Sequence, residues 1–180
     1  MPEAHNAIIK FLNSLNNTNP IYDFISNINN SNNKNHTYKN ETNRKVYFVF
    51  VNTAKFYEHP QIIYLDKITD PYLKVKYINT CNCMIHARSD GETFGLAIGE
   101  FSSLNKPIIT CRSDLDNCHL DILGDKAIIF NSTDSLINIL ENIQTISNSR
   151  DDWNTYKEYT PEKVMIQFKD VFLSNETIYL

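Results

Sequence analysis

Two glutamates, Glu92 and Glu100, carry the chemistry that is most legible in this chain. They lie within residues 84–111, MIHARSDGETFGLAIGEFSSLNKPIITC. A carboxylate accepts two hydroxyl donors at once, which fits the vicinal hydroxyls of a sugar. With a helix between them, the two would stand roughly 12 Å apart along its axis. That is too far to share one reacting atom, as a glycosidase pair does, and it suits gripping two ends of an elongated ligand. The backbone N–H groups of Thr93 to Leu96, at a helix N-terminus, suit a phosphate held between them. Taken alone, two glutamates on a helix are more often solvated surface charges.

Other chemistry is poorly supported. Cys81-x-Cys83 and Cys118-His119 have the wrong spacing for a zinc knuckle and read as inert core thiols. No Ser or Cys sits in a nucleophile elbow, and the four glycines form no phosphate-cradling loop. A kinase, a P-loop enzyme and a dinucleotide-binding Rossmann protein are thereby disfavoured.

The elements that must position the glutamates follow from punctuation and periodicity. Met84-Ile85-His86-Ala87 is a short apolar run that ends at the turn formers Ser89-Asp90-Gly91. Phe94, Ala97, Ile98 and Phe101 fall at i, i+3, i+4 and i+7, the spacing of one buried helix face. Asn105-Lys106-Pro107 stops that helix, and Pro107 to Thr110 restarts as a strand. This is a βαβ unit, whose strand-to-helix loop sits where open parallel sheets bind ligands.

Around it, residues 2–15 carry a helical apolar stripe begun by Pro2. Residues 21–28 read as a second short helix or a packed loop, and residues 29–44 (NNSNNKNHTYKNETNR) as a disordered surface insertion. Its Lys34, Lys39 and Arg44, with Lys45, read as part of a solvated loop in preference to a basic arm. Residues 45–51 form a continuous apolar run typical of a strand buried on both faces. Ile62 to Leu65 is the next strand. Asp70-Pro71 starts a helix whose apolar side is Tyr72, Val75, Tyr77 and Ile78. Beyond Cys111 come a short helix from Cys118 to Leu123 with Gly124 as its C-cap, a strand from Ala127 to Phe130, and a helix capped by Ser132 or Asp134. Residues 153–159 and 164–173 read as closing helices. Strands alternating with helices imply an α/β fold with a mostly parallel, Rossmann-like sheet flanked by helices. The expected division is an N-terminal helical segment (1–28), the Asn-rich insertion (29–44) and an α/β domain (45–180).

Composition bounds the class. A chain of 180 residues with 42% hydrophobic and 12% aromatic content can build a real core. Its net charge of -4 argues against nucleic acid as a partner. Asparagine is heavily over-used, about half of it before Val46, which fits an AT-rich coding bias. The Asn-x-Ser/Thr sequons this creates read as chance, since no signal peptide is visible. No apolar run is long enough to span a bilayer, and the four cysteines look reduced, so the expected compartment is the cytoplasm.

Glu92-Thr93-Phe94-Gly95-Leu96 with Glu100 resembles the E-x7-E motif of the family-4 group of retaining glycosyltransferases, which have the GT-B fold. The order and lengths of the elements over residues 46–143 are similar to the C-terminal, nucleotide-sugar-binding half of those enzymes. The resemblance implies the following roles. Glu92, as the catalytic position, lies at the donor sugar and its hydroxyls. Thr93 lies beside it in the donor-binding stretch, and Phe94, Gly95 and Leu96 offer backbone N–H groups to the sugar or diphosphate. Glu100 holds the ribose hydroxyls, and Leu65, Asp66, Lys67 and Ile68 lie against the base. It implies front-face, retaining sugar transfer from a nucleotide sugar, with no metal and no cofactor beyond that donor substrate. The family's acceptor-binding domain, its first donor-domain strand and the Arg and Lys beside that strand have no counterpart here. The chain is therefore expected to be incomplete on its own, completed by a separate acceptor-binding domain or a second copy. The alternative expectation is an inactive relic that binds a nucleotide or a protein.

Overall fold

The computed structural model describes residues 2–14 and 46–173. The readings for residues 21–28 and 29–44 lie outside the described residues. The fold is α/β. Its described residues cluster into two compact units, one from Pro2–Thr80 and the other from Cys81 onward.

In the first unit, helix α1 (Pro2–Ser14) buries Ala4, Ile8, Phe11 and Leu12, as its spacing predicts, and Ala7 beside them. Strands β1 (Phe48–Val51) and β2 (Ile62–Leu65) form a two-stranded parallel sheet with Phe48 opposite Ile62. Phe11 meets Phe48 edge-on at 6.1 Å, and Phe50 stacks on Tyr64 at 5.7 Å. The expectation of a strand buried on both faces fails, because only Phe48 of β1 is buried. A ribbon of two strands offers its other side chains half-covered positions. Helix α2 (Pro71–Thr80) begins as predicted, with the Asp70 carboxylate accepting the N–H groups of Tyr72 at 2.7 Å and Leu73 at 3.1 Å. Its apolar side does not form as predicted. Ile78 alone is buried, and Tyr72 is 83% exposed.

In the second unit, β3 (Met84–His86), β4 (Ile108–Thr110) and β5 (Ala127–Ile129) form a three-stranded sheet in the order β3-β4-β5, all parallel. Helix α3 (Leu96–Ser103) connects β3 to β4, and α4 (Cys118–Leu123) leads from β4 to β5. Helix α5 (Thr133–Glu141) is started by Ser132, in a reciprocal cap with Ser135, and α6 (Ile143–Ser147) follows. The core of this unit is Ile98, Ile108, Ile109, Leu123 and Leu136, each at most 1% exposed.

Two predicted elements differ. Residues 153–156 are not helical, and side chains accept three of their N–H groups. Asn105 Oδ1 accepts from Trp153 N–H at 2.6 Å, Ser102 Oγ from Thr155 N–H at 2.9 Å, and Asn154 Oδ1 from Tyr156 N–H at 2.9 Å. The last helix starts earlier than predicted, as α7 (Pro161–Phe168) capped by Thr160, and runs into a π-helical stretch, Lys169–Leu173. Among the described residues no helix is long and apolar enough to cross a membrane.

Candidate functional site

The loop between β3 and α3, residues 87–95, is shaped by its two glycines. Gly91 closes a turn onto the Arg88 carbonyl at 3.2 Å with φ +72. A β-carbon there would fall 1.6 Å from the Asp116 carbonyl oxygen. That proximity exists because Gly91 pairs with Asp116 as an isolated parallel bridge, and Ser113 Oγ donates to the Ser89 carbonyl at 2.8 Å. The loops that follow neighbouring strands β3 and β4 are thus stitched together at the carboxyl edge of the sheet, where α/β proteins bind ligands. The β4 loop is stiffened in turn by Asn117, whose side chain accepts from Ser113 N–H at 2.8 Å and donates to the Ser113 carbonyl at 2.6 Å.

Glu92 is held at both ends. Its carboxylate lies 3.0 Å from Arg88 Nη1 and 3.7 Å from His86 Nε2. Its peptide oxygen accepts from His119 N–H at 3.2 Å and faces His119 Nδ1 at 3.3 Å. Thr110 Oγ1 joins the two imidazoles, 3.0 Å from His86 Nδ1 and 3.1 Å from His119 Nε2. All three of these side chains are buried, Thr110 and His119 completely. Burial first, then the nearby His119, holds the His86 imidazole below its ordinary pKa, against an opposing pull from Glu92.

Thr93 follows, exposed. The Phe94 carbonyl accepts the Tyr156 hydroxyl at 2.6 Å, and its ring packs edge-on to Tyr156 and Tyr159. Burial, then Tyr159 and Glu92, push the Tyr156 phenol up to about 12, so it remains a donor at neutral pH. Gly95 caps α3 from the left-handed region at φ +74, and Leu96 opens the helix 76% exposed. Glu100 lies on the exposed side of α3.

Glu92, Thr93, Phe94, Gly95, Leu96 and Glu100 therefore share one loop and one helix, with two corrections. Residues 92–95 are not helical, so the 12 Å spacing loses its premise; only the span from Leu96 to Glu100 rises along the axis, by about 6 Å. The first-turn N–H groups of α3 are consequently those of Leu96, Ala97 and Ile98, with Thr93, Phe94 and Gly95 preceding them. The buried face is also rotated. Ile98 and Phe101 are buried as expected, but Gly99 and Ser102 replace Phe94 and Ala97. A β-carbon on Gly99 would meet the Tyr156 ring at 2.9 Å, and Ser102 Oγ donates to the Trp153 carbonyl at 3.2 Å. Leu65, Asp66, Lys67 and Ile68 belong to the other unit. Leu65 ends β2, where its carbonyl accepts Asn52 N–H at 3.0 Å; Asp66 and Lys67 are exposed and Ile68 is half-buried.

Sequence reasoning missed His86, Thr110, His119 and Tyr156. A signal existed for two of them: Met-Ile-His and Ile-Ile-Thr each end a short apolar strand on a polar residue, and those residues pair in register. The cysteine reading needs correcting. No disulfide joins the four, and burial, then Cys81, push the Cys83 thiol up to about 12, but none is a core thiol by exposure: Cys81, Cys83 and Cys111 are half-buried and Cys118 is exposed. Among the described residues no group of three His, Cys, Asp or Glu side chains is placed to hold a metal ion. No known protein family, curated protein or solved structure matches this chain.

Proposed function

We propose that this chain binds a nucleoside-diphosphate sugar at the β3–α3 loop, as the donor-binding part of a retaining glycosyltransferase whose acceptor part is supplied by another domain or a second copy. The observation that carries the reading is Glu92, a carboxylate fastened from both ends at the carboxyl edge of a parallel sheet, in the loop that leads through Gly95 into a helix N-terminus. In this reading Glu92 accepts sugar hydroxyls, and the first-turn N–H groups of α3 face the diphosphate. Glu100 accepts the ribose hydroxyls. Positioned N–H donors stabilise the charge that grows on the leaving diphosphate.

A second reading, a nucleotide-binding module without transfer activity, is favoured by Arg88. Its guanidinium is paired with Glu92 at 3.0 Å, which neutralises a cation of that loop. A leaving diphosphate without cationic stabilisation loses several kcal/mol of transition-state energy, by the magnitude of comparable oxyanion contacts, about 3 kcal/mol each. Calorimetric titration of the full chain with UDP, GDP and their sugars tests both readings. Binding that weakens at least about tenfold in Glu100→Ala supports donor binding, that factor being about 1.4 kcal/mol; binding to none of them sinks it. Sugar release from a bound donor then separates the transferase from the binding module.

A further inference from the structure

The direction of the hydrogen bonds that run from His119 through Thr110 to His86 is set by one atom. The Glu92 peptide oxygen has only lone pairs, so His119 Nδ1, 3.3 Å away, must carry its hydrogen. Neutral His119 then has a bare Nε2, which accepts the Thr110 hydroxyl hydrogen at 3.1 Å. The Cys111 carbonyl, at 3.5 Å, is the longer alternative for that hydrogen. With its one hydrogen spent on His119, Thr110 Oγ1 accepts from His86 Nδ1–H at 3.0 Å. Neutral His86 is left with a bare Nε2. That atom is buried, makes no hydrogen bond, and lies 3.7 Å from Glu92 Oε1. The chain thus starts at the backbone of Glu92 and returns to its side chain, presenting a lone pair to a carboxylate.

We infer that His86 is the positioning residue of Glu92: its bare Nε2 keeps the carboxylate on Arg88 and open to ligand hydroxyls, and a proton on Nε2 draws that carboxylate into a buried ion pair. Glu92 and Arg88 from the β3 loop and His119 from α4 are the charged or titratable groups that face His86, and Tyr156 faces Glu92 from the far side. Burial keeps His86 neutral at ordinary pH, as the device requires. Arg88 releases the carboxylate at little cost, because its own side chain is half exposed. The ligand consequence rests on the donor-binding reading above; the imidazole chemistry does not.

The two are tested separately on the full chain. Long-range nitrogen–proton spectra of the imidazoles, from about pH 8 to about pH 5, should show both His86 and His119 as Nδ1–H tautomers at the upper end. The His86 titration should move further down in Glu92→Gln. A neutral His86 bearing its hydrogen on Nε2, or a titration unmoved by Glu92→Gln, overturns the inference. In the second arm, UDP-glucose and GDP-mannose affinity should fall about tenfold per pH unit below the His86 titration, as one linked proton requires. It should become flat in His86→Asn, which keeps a donor where Nδ1 stood and removes Nε2. A fall of the same steepness in a folded His86→Asn overturns the inference. If neither nucleotide sugar binds at any pH, donor binding by this loop falls, and the imidazole spectra alone decide the role of His86.

Discussion

Two stretches at the ends of parallel strands, residues 87–95 after β3 and residues 65–68 from the last residue of β2, share one expected task and are built in opposite ways. The first is bridged to its neighbour through Gly91 and Asp116, anchored by imidazoles beneath it, and tied by Tyr156 at Phe94. The second leaves Asp66 and Lys67 in solvent, with Leu65 38% exposed. The contrast teaches what a motif resemblance carries and what it omits. It nominates positions, whereas preorganisation is a property of partners that lie elsewhere in the chain.

The largest expected effect breaks the stitched loop. Gly91→Ala forces a β-carbon to within 1.6 Å of the Asp116 carbonyl oxygen at a positive φ, and should cost ~3 kcal/mol or more in urea unfolding. Gly124→Ala, also at positive φ but with nothing within 4 Å, should cost only about 1 kcal/mol. Equal losses would show that backbone conformation, not the bridge, makes Gly91 necessary. Next, Thr110→Val leaves buried imidazole nitrogens on both sides without a partner, for about 2 kcal/mol. Lys67→Ala, in the exposed loop, should stay within about 0.5 kcal/mol; a comparable cost at Lys67 would erase the contrast.

Tyr156→Phe removes the hydroxyl that holds the Phe94 carbonyl at 2.6 Å, for about 1 kcal/mol, with a matching loss of ligand affinity. The gentlest perturbation is pH. His86 has a folded pKa below its ordinary value of about 6.5, so the unfolded chain takes up the proton first. Stability is complete above that value and is lost as pH falls from about 6.5 toward the folded pKa. Melting curves through this window should show the loss in the wild type and a smaller one in His86→Asn. Asp152, held at about 2 by Lys157 and Lys126, titrates well below it. A decline that persists unchanged in His86→Asn would assign it to another group.

Legibility tracked the range of the interactions involved. Strand β2 matches its sequence reading at both ends, α2 starts on Asp70-Pro71, and α4 ends on Gly124, since caps and turn formers act within a few residues. The face of α3 was misjudged because Gly99 and Ser102 carry no apolar signal; they are buried by a tyrosine ring and a peptide more than 50 positions away. The segment 153–156 is tied down in the same long-range way, for Asn105 and Ser102 supply acceptors to Trp153 and Thr155 that no local pattern announces. Glu92 was legible as a position. Its anchorage was not, because the histidines that hold it are separated from one another by α3 and β4.

Trimming the chain exposes a consequence of the Tyr156–Gly99 contact. A fragment ending at Ser149 would retain the whole E-x7-E pattern, its strands and its helix. It would nevertheless strip the cover from Gly99, leave Ser102 without the Trp153 carbonyl and Thr155 N–H, and release Phe94 from Tyr156. Such a minimal cassette would bring the motif without the brace behind it, so grafting or expressing this signature demands the tail through Tyr159.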